Sequence, residues 1–258
     1  MGARTLVHPI TTGTIVRDRT FDLLDRRIHP SAPDRRYSAH PSAALAELLR
    51  IPVEEVQRDI LRCRDHRLME EITKNLRDTL PESFGHVGLP PHGWQEILET
   101  LYALTVRLRP SVVVETGVGI IGASSTFILQ ALKDNGNGYL LSIDPNWFRT
   151  FKDVDVGAGI PNRLRNRHLV LVGQSRRILK SVIDTRGPIQ FFLHDGCHTY
   201  RNMLFEYETA WGGLSPEGII ASDDVRNSAF DRFTHNNGLS GVYVKYEGSE
   251  FALTRRSK

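Results

Sequence analysis

Cysteine is nearly absent from this sequence. Cys63 and Cys197 are the only two in 258 residues, they stand far apart, and neither belongs to a C-x-x-C pair. That excludes a disulfide framework and the common structural zinc signatures. Long apolar runs are missing as well: no segment reaches the ~18 residues that a membrane-spanning helix needs. The opening residues (Met1-Gly2-Ala3-Arg4-Thr5-Leu6-Val7-His8-Pro9) lack the basic-then-apolar order of a secretory signal, so cytoplasmic residence without a membrane partner is the expectation. A charge excess is also lacking. The formal net charge is +3, and residues 1–90 hold 14 Lys/Arg against 13 Asp/Glu. No basic tail stands apart from an acidic body, so no nucleic-acid partner is expected.

What is present is an ordinary globular composition, with 40% hydrophobic and 24% charged residues. The length suffices to bury a sizeable core, as one large domain or as a domain of roughly 150–170 residues with an appendage. Residues 1–40 carry scattered proline, glycine and arginine, with one short amphipathic candidate over 20–28. Val53, Val56, Ile60, Leu61, Leu68, Ile72 and Leu76 recur at helical spacing, which predicts one long or broken amphipathic helix over 53–79. A Gly/Pro-rich linker follows over 83–93. Boundaries therefore fall at 1–90, a helical extension serving as lid or oligomer contact, and 91–258.

Past residue 93 the texture changes. A helix over 94–108 stops before Pro110. Short apolar strands at 112–114, 139–143, 168–172, 189–193 and 218–221 alternate with helices at 124–133, 175–183 and 199–211. A terminal hairpin spans 242–253. This pattern predicts an α/β fold with a mostly parallel, doubly wound sheet buried on both faces. Ligands of such sheets bind outside the carboxyl ends of the strands, where this chain places Glu115, Asp144, Gly173-Gln174, Asp195 and Asp223-Asp224.

The segment Glu115-Thr116-Gly117-Val118-Gly119-Ile120-Ile121-Gly122 spells G-x-G-x-x-G, a fingerprint of dinucleotide sites, and Asp144 lies where a ribose-binding acid belongs. An NAD(P)-dependent oxidoreductase is thus one reading. A pyrophosphate would sit at the turn and helix N-terminus, where Glu115 repels it. S-adenosylmethionine carries cationic sulfonium and amino groups and no phosphate, so the acid suits that cofactor.

Three further blocks extend the pattern: 189–200 (IQFFLHDGCHTY), 206–211 (EYETAW) and 214–225 (LSPEGIIASDDV). In order and spacing they resemble a class I, Rossmann-like S-adenosylmethionine-dependent methyltransferase family with a D-x-x-H-x-Y block and a D-D block. That family includes sugar and natural-product O-methyltransferases and cephalosporin-hydroxylase-like proteins. The resemblance spans roughly residues 90–240 and implies a seven-stranded sheet with an antiparallel last strand. It also implies roles. Glu115 and Gly117 would line the methionine part, Asp144 the ribose, and Gln174 with Ser175 the adenine, with Gly119, Gly122 and Ser124 also binding the cofactor. Asp195, also beside the cofactor, joins Asp223 and Asp224 as oxygen ligands for Mg²⁺ or another divalent cation. His198 is the candidate base, with Asp195 also catalytic. His194 faces either the core or the cofactor, Tyr200 packs or touches cofactor, and Cys197 is expected to be a small buried residue. One departure stands out: four residues separate Gly117 from Gly122 where the family has three.

The implied activity is metal-assisted O-methylation of a hydroxyl on a sugar or specialised metabolite. A small-molecule acceptor and a dimer or higher homo-oligomer are the expected partners. Arg35, Arg36, Tyr37 and His40 of the extension either meet the acceptor or pack as a lid, and 148–151 with 157–161 is a candidate cap over the site.

Overall fold

The computed structural model describes residues 24–80, 92–146 and 155–257. Among the described residues, helices α1 (Pro41–Leu49), α2 (Val53–Asp65) and α3 (Leu68–Thr79) precede the linker region, and α4 (His92–Leu108) follows it. The chain then alternates: β1 (Val112–Thr116), α5 (Ala123–Asp134), β2 (Tyr139–Asp144), β3 (His168–Val172), α6 (Ser175–Arg186), β4 (Ile189–His194), α7 (Tyr200–Gly213), β5 (Leu214–Ser222), α8 (Ala229–Asn236), β6 (Val242–Tyr246) and β7 (Ser249–Arg255). The seven strands form one sheet in the order β3-β2-β1-β4-β5-β7-β6. β1 to β5 are parallel, and β7 runs antiparallel between β5 and β6. This is the Rossmann-like architecture of class I methyltransferases.

Strand alternation explains the two cores. Val113, Leu140, Phe191 and Leu193 face a layer containing Leu45, Val56, Ile72, Leu98 and Phe127. Val112, Val114, Leu141 and Phe192 face Leu179, Met203, Tyr207, Phe230 and Phe233 on the other side. Odd and even positions of each strand are both apolar because both faces are covered. The helices before residue 80 share the first of these cores.

Where the structure departs from the sequence reading, the causes are local. Of the two forms expected over 53–79 the broken one is found, because Arg67 adopts the left-handed conformation (φ 52°) between two helices. α1 escaped the periodicity reading. It starts at a proline in its first turn, a position that needs no N–H donor, and its small Ala44 and Ala46 give little amphipathic contrast. α8 also went unread; it buries Phe230 and Phe233 in the second core. β5 starts at Leu214, four residues before the predicted 218, because Leu214 pairs with Ile189 ahead of an irregularity in the β4–β5 ladder. The linker over 83–91 and the 148–151 part of the candidate cap lie outside the described residues. The other part is a packed element: Gly157 N–H donates to Gly119 O (2.8 Å), Gly159 N–H to Ile120 O (3.3 Å), and Ile160 is buried.

Candidate active site

Strand order reverses direction between β1 and β4, so the crevice of the doubly wound sheet opens at their carboxyl ends. Thr116 and His194 are register partners there. Backbone bonds carry the ladder one step past the strands: Asp195 N–H donates to Thr116 O (2.8 Å) and Asp223 N–H to His194 O (2.9 Å). Asp195 and Asp223 are thereby set side by side on adjacent strand ends.

Gly117 follows Thr116 at φ +86°, and a Cβ on it would fall 1.9 Å from the Asp195 carbonyl oxygen. Only glycine allows this approach. Gly119 (φ +62°) meets nothing within 4 Å at its Cβ position, while a Cβ on Gly122 (φ +62°) would strike Ile160. The glycine turn is braced by Asp144. Its Oδ2 accepts the N–H groups of Val118 (2.8 Å) and Gly119 (2.9 Å), and its Oδ1 accepts Asn146 N–H (2.6 Å).

Glu115 does not reach the crevice surface. It is fully buried, and its oxygens accept the hydroxyls of Ser124 (2.5 Å), Ser125 (2.6 Å) and Ser142 (2.8 Å). Burial pushes its carboxyl up, against the pull of the three serines. The acid therefore lies beneath the start of α5, and Ser124 is spent on it. Gln174 is exposed as the residue before α6, and Ser175 is half-buried.

The acids separate into two kinds. Asp195, His198 and Asp223 each offer a ligand atom within 4.8 Å of the others. His198 Nε2 is buried without a protein partner and lies 4.0 Å from Asp195 Oδ1. Burial and the neighbouring Asp223 and Glu115 push Asp195 well up, while burial outweighs His198 and a Tyr246 hydrogen bond to raise Asp223. Burial and His194 lower His198. Two acids converging on one point, with an imidazole beside them, fit a hard divalent cation.

Asp224 is different. Its backbone turns left-handed (φ 51°), and its carboxylate is bonded by Arg226, by Ser249 Oγ (2.7 Å) and by Arg26 Nη2 (3.4 Å). Burial pushes it up, but Arg226, His198 and Ser249 outweigh that and hold it below the ordinary carboxylate range. Of the three acids expected from the resemblance, Asp195 and Asp223 therefore lie in the cluster with His198, while the Asp224 carboxylate is engaged by Arg226 and Ser249.

The arm before α1 is fixed across this site. Tyr200 N–H donates to Asp25 Oδ2, and the His29 ring stacks on Tyr200 at 3.8 Å. Arg35 is not turned towards an acceptor. Its side chain is 1% exposed and bonds Asp231, Glu250 and the carbonyls of Val225 and Asn227. Tyr37 packs edge-on to Tyr243. Cys197 is exposed, contrary to the buried placement expected for it. Glu206, buried and bonded to His194 (2.6 Å), was not read as a site residue. Its signal was an acid on the face of α7 that carries Met203, Tyr207 and Ala210.

Fold and crevice together define the class I methyltransferase architecture. Residues 114–225 match the family model described as a methyltransferase domain. Solved structures agree in fold. An O-methyltransferase from Bacillus cereus in complex with SAH is 17% identical with a TM-score of 0.55, over 74% of this chain and 91% of that one. The O-methyltransferase TomG from Streptomyces achromogenes, involved in tomaymycin synthesis and solved with SAM, is 17% identical with a TM-score of 0.54, over 74% and 90%. A putative O-methyltransferase from Klebsiella pneumoniae is 14% identical with a TM-score of 0.55, over 74% and 90%. Comparison with curated proteins gave no match. Among the described residues no helix is long and apolar enough to cross a membrane.

Proposed function

We propose that this chain transfers the methyl group of S-adenosylmethionine to a hydroxyl of a small acceptor such as a sugar or specialised metabolite, with a divalent cation held by Asp195 and Asp223 and with His198 beside them. The observation that carries the reading is the approach of the glycine turn to that cluster, since Gly117 lies against the backbone of Asp195. A cofactor on the turn and an acceptor at the cluster would then meet at the β1–β4 switch point. Asp144, which braces the turn, would meet the ribose, and the exposed Gln174 the adenine. A cation bound at the cluster would supply Lewis-acid polarisation of the acceptor hydroxyl. The chain's own contribution is to hold the acceptor oxygen between two carboxylates, and His198 Nε2 is the base that removes its proton.

Calorimetric titration with S-adenosylhomocysteine and with NADH separates this reading from an oxidoreductase. Micromolar binding of the first and none of the second is expected. Binding of NADH alone would overturn it. Screening hydroxylated metabolites with labelled methyl donor, with and without EDTA, then identifies the acceptor and tests the cation.

A further inference from the structure

His194 ends β4 and Glu206 lies on α7, and both are essentially inaccessible, at 0% and 1% exposure. One Glu206 oxygen accepts from Thr116 Oγ1 (2.6 Å) and His194 Nδ1 (2.6 Å), and the other from Asn202 Nδ2 (2.7 Å). The Asn202 amide also donates to the carbonyl of Cys197 (3.1 Å). This one carboxylate therefore ties the residue before Gly117, the residue before Asp195 and, through Asn202, the residue before His198.

Burial pushes Glu206 up, but His194 and the hydrogen bonds outweigh it and keep the group ionised. An ionised carboxylate only accepts, so the proton of the His194 bond sits on Nδ1. The other ring nitrogen, Nε2, is buried without a protein partner, and the His198 ring stands edge-on 5.3 Å away. Burying a charge is costly unless it is fully bonded. Met203, Tyr207 and Ala210 pack apolar and aromatic side chains on this face of α7, beside the polar pair Asn202 and Glu206. A carboxylate with donors from two strands and a helix belongs to the site rather than to the core.

We propose that Glu206 is a positioning residue of the methyl-transfer site: it fixes the Nδ1–H form of His194 and, with Thr116 and Asn202, holds the Asp195–His198 turn in register with the cofactor loop. This rests on reading the crevice as the methyl-transfer site. The role needs no proton transfer.

Nitrogen-15 histidine spectra of the full chain give the first test, and they do not depend on cofactor or acceptor. In the wild type His194 is expected to carry its proton on Nδ1, with a far-downfield N–H resonance that disappears in His194→Gln. In Glu206→Gln that resonance should move upfield, the His198 ring signals should shift, and S-adenosylhomocysteine affinity should fall about tenfold, the scale on which partners behind a site act. Glu206→Asp, which restores the charge, should recover part of each change. A wild-type His194 without a proton on Nδ1 overturns the proposal, as does a folded Glu206→Gln with unmoved His198 signals and unchanged affinity. If Glu206→Gln does not fold, the wild-type tautomer decides. Failure of the wild type to bind S-adenosylhomocysteine would instead remove the functional reading and leave the His194 and His198 signals to judge the dyad.

Discussion

Gly117 and Asp195 touch backbone to backbone: a Cβ on the glycine would sit 1.9 Å from the aspartate's carbonyl oxygen. The cofactor loop and the turn carrying the acids are therefore one unit, and whatever moves the loop moves the acids. Gly117→Ala combines that collision with a φ of +86°. It should destabilise the fold by about 2–4 kcal/mol, from backbone strain and displaced packing together. Thermal unfolding measures the first effect and S-adenosylhomocysteine titration the accompanying loss of binding. A variant with unchanged melting temperature and affinity would show that the approach is not obligatory.

The two neighbouring acids of the D-D block should behave unequally. Asp195→Asn and Asp223→Asn each remove a ligand atom from the cluster, and Mn²⁺ affinity should fall about tenfold or more in each. Asp224→Asn loses its charge pairing with Arg26 and Arg226. It should cost about 1 kcal/mol of stability, as partly exposed ion pairs do, while Mn²⁺ affinity stays within about threefold. Titrations showing equal losses for all three would restore Asp224 to the ligand set.

Much of this site was legible because its signals are one-dimensional. Apolar runs that end in acids mark the carboxyl edge of a parallel sheet, and glycines mark a turn whatever the rest of the chain does. What could not be read is direction. Asp223 and Asp224 are adjacent in sequence, but the left-handed backbone at Asp224 and the reach of Arg26 from the arm decide which faces the cluster. Glu115 was legible as an acid before the turn, whereas its three serine partners come from α5 and β2. Glu206 was hidden for the same reason, since twelve residues separate it from His194 and only the packing of α7 on β4 joins them.

Arg35 is the pin of the N-terminal arm. Its guanidinium bonds Asp231 (2.7 Å) and Glu250 (2.5 Å), and its side chain is 1% exposed. Desolvation opposes the charge, yet these acids raise the group above its ordinary value. Replacing it with Met fills much of the space but strands two acids, a change that costs about 3–5 kcal/mol when a buried pair loses one partner. Urea unfolding checks the size. The arm also carries Asp25 and His29 onto Tyr200, so limited proteolysis should cut the variant near residue 30 before the core opens. Proteolysis at the wild-type rate would separate the arm from its pin.

His168 supplies a pH dependence that belongs to the fold rather than to the chemistry. Its Nε2 lies 2.9 Å from Ser142 Oγ, whose hydroxyl hydrogen goes to Glu115, so the imidazole donates there. Burial and nearby Arg165 lower it to about 4, from 6.5 when unfolded. The unfolded chain then binds the proton first as pH falls, so stability present above pH 6.5 is lost between 6.5 and about 4. Between pH 7 and pH 5 the loss from this residue should be about 1–2 kcal/mol. Urea midpoints of the wild type and His168→Gln at both pH values isolate it. The variant, whose amide can still donate to Ser142, should lose less stability on acidification by that amount. An identical pH difference in the two proteins would place the titration elsewhere.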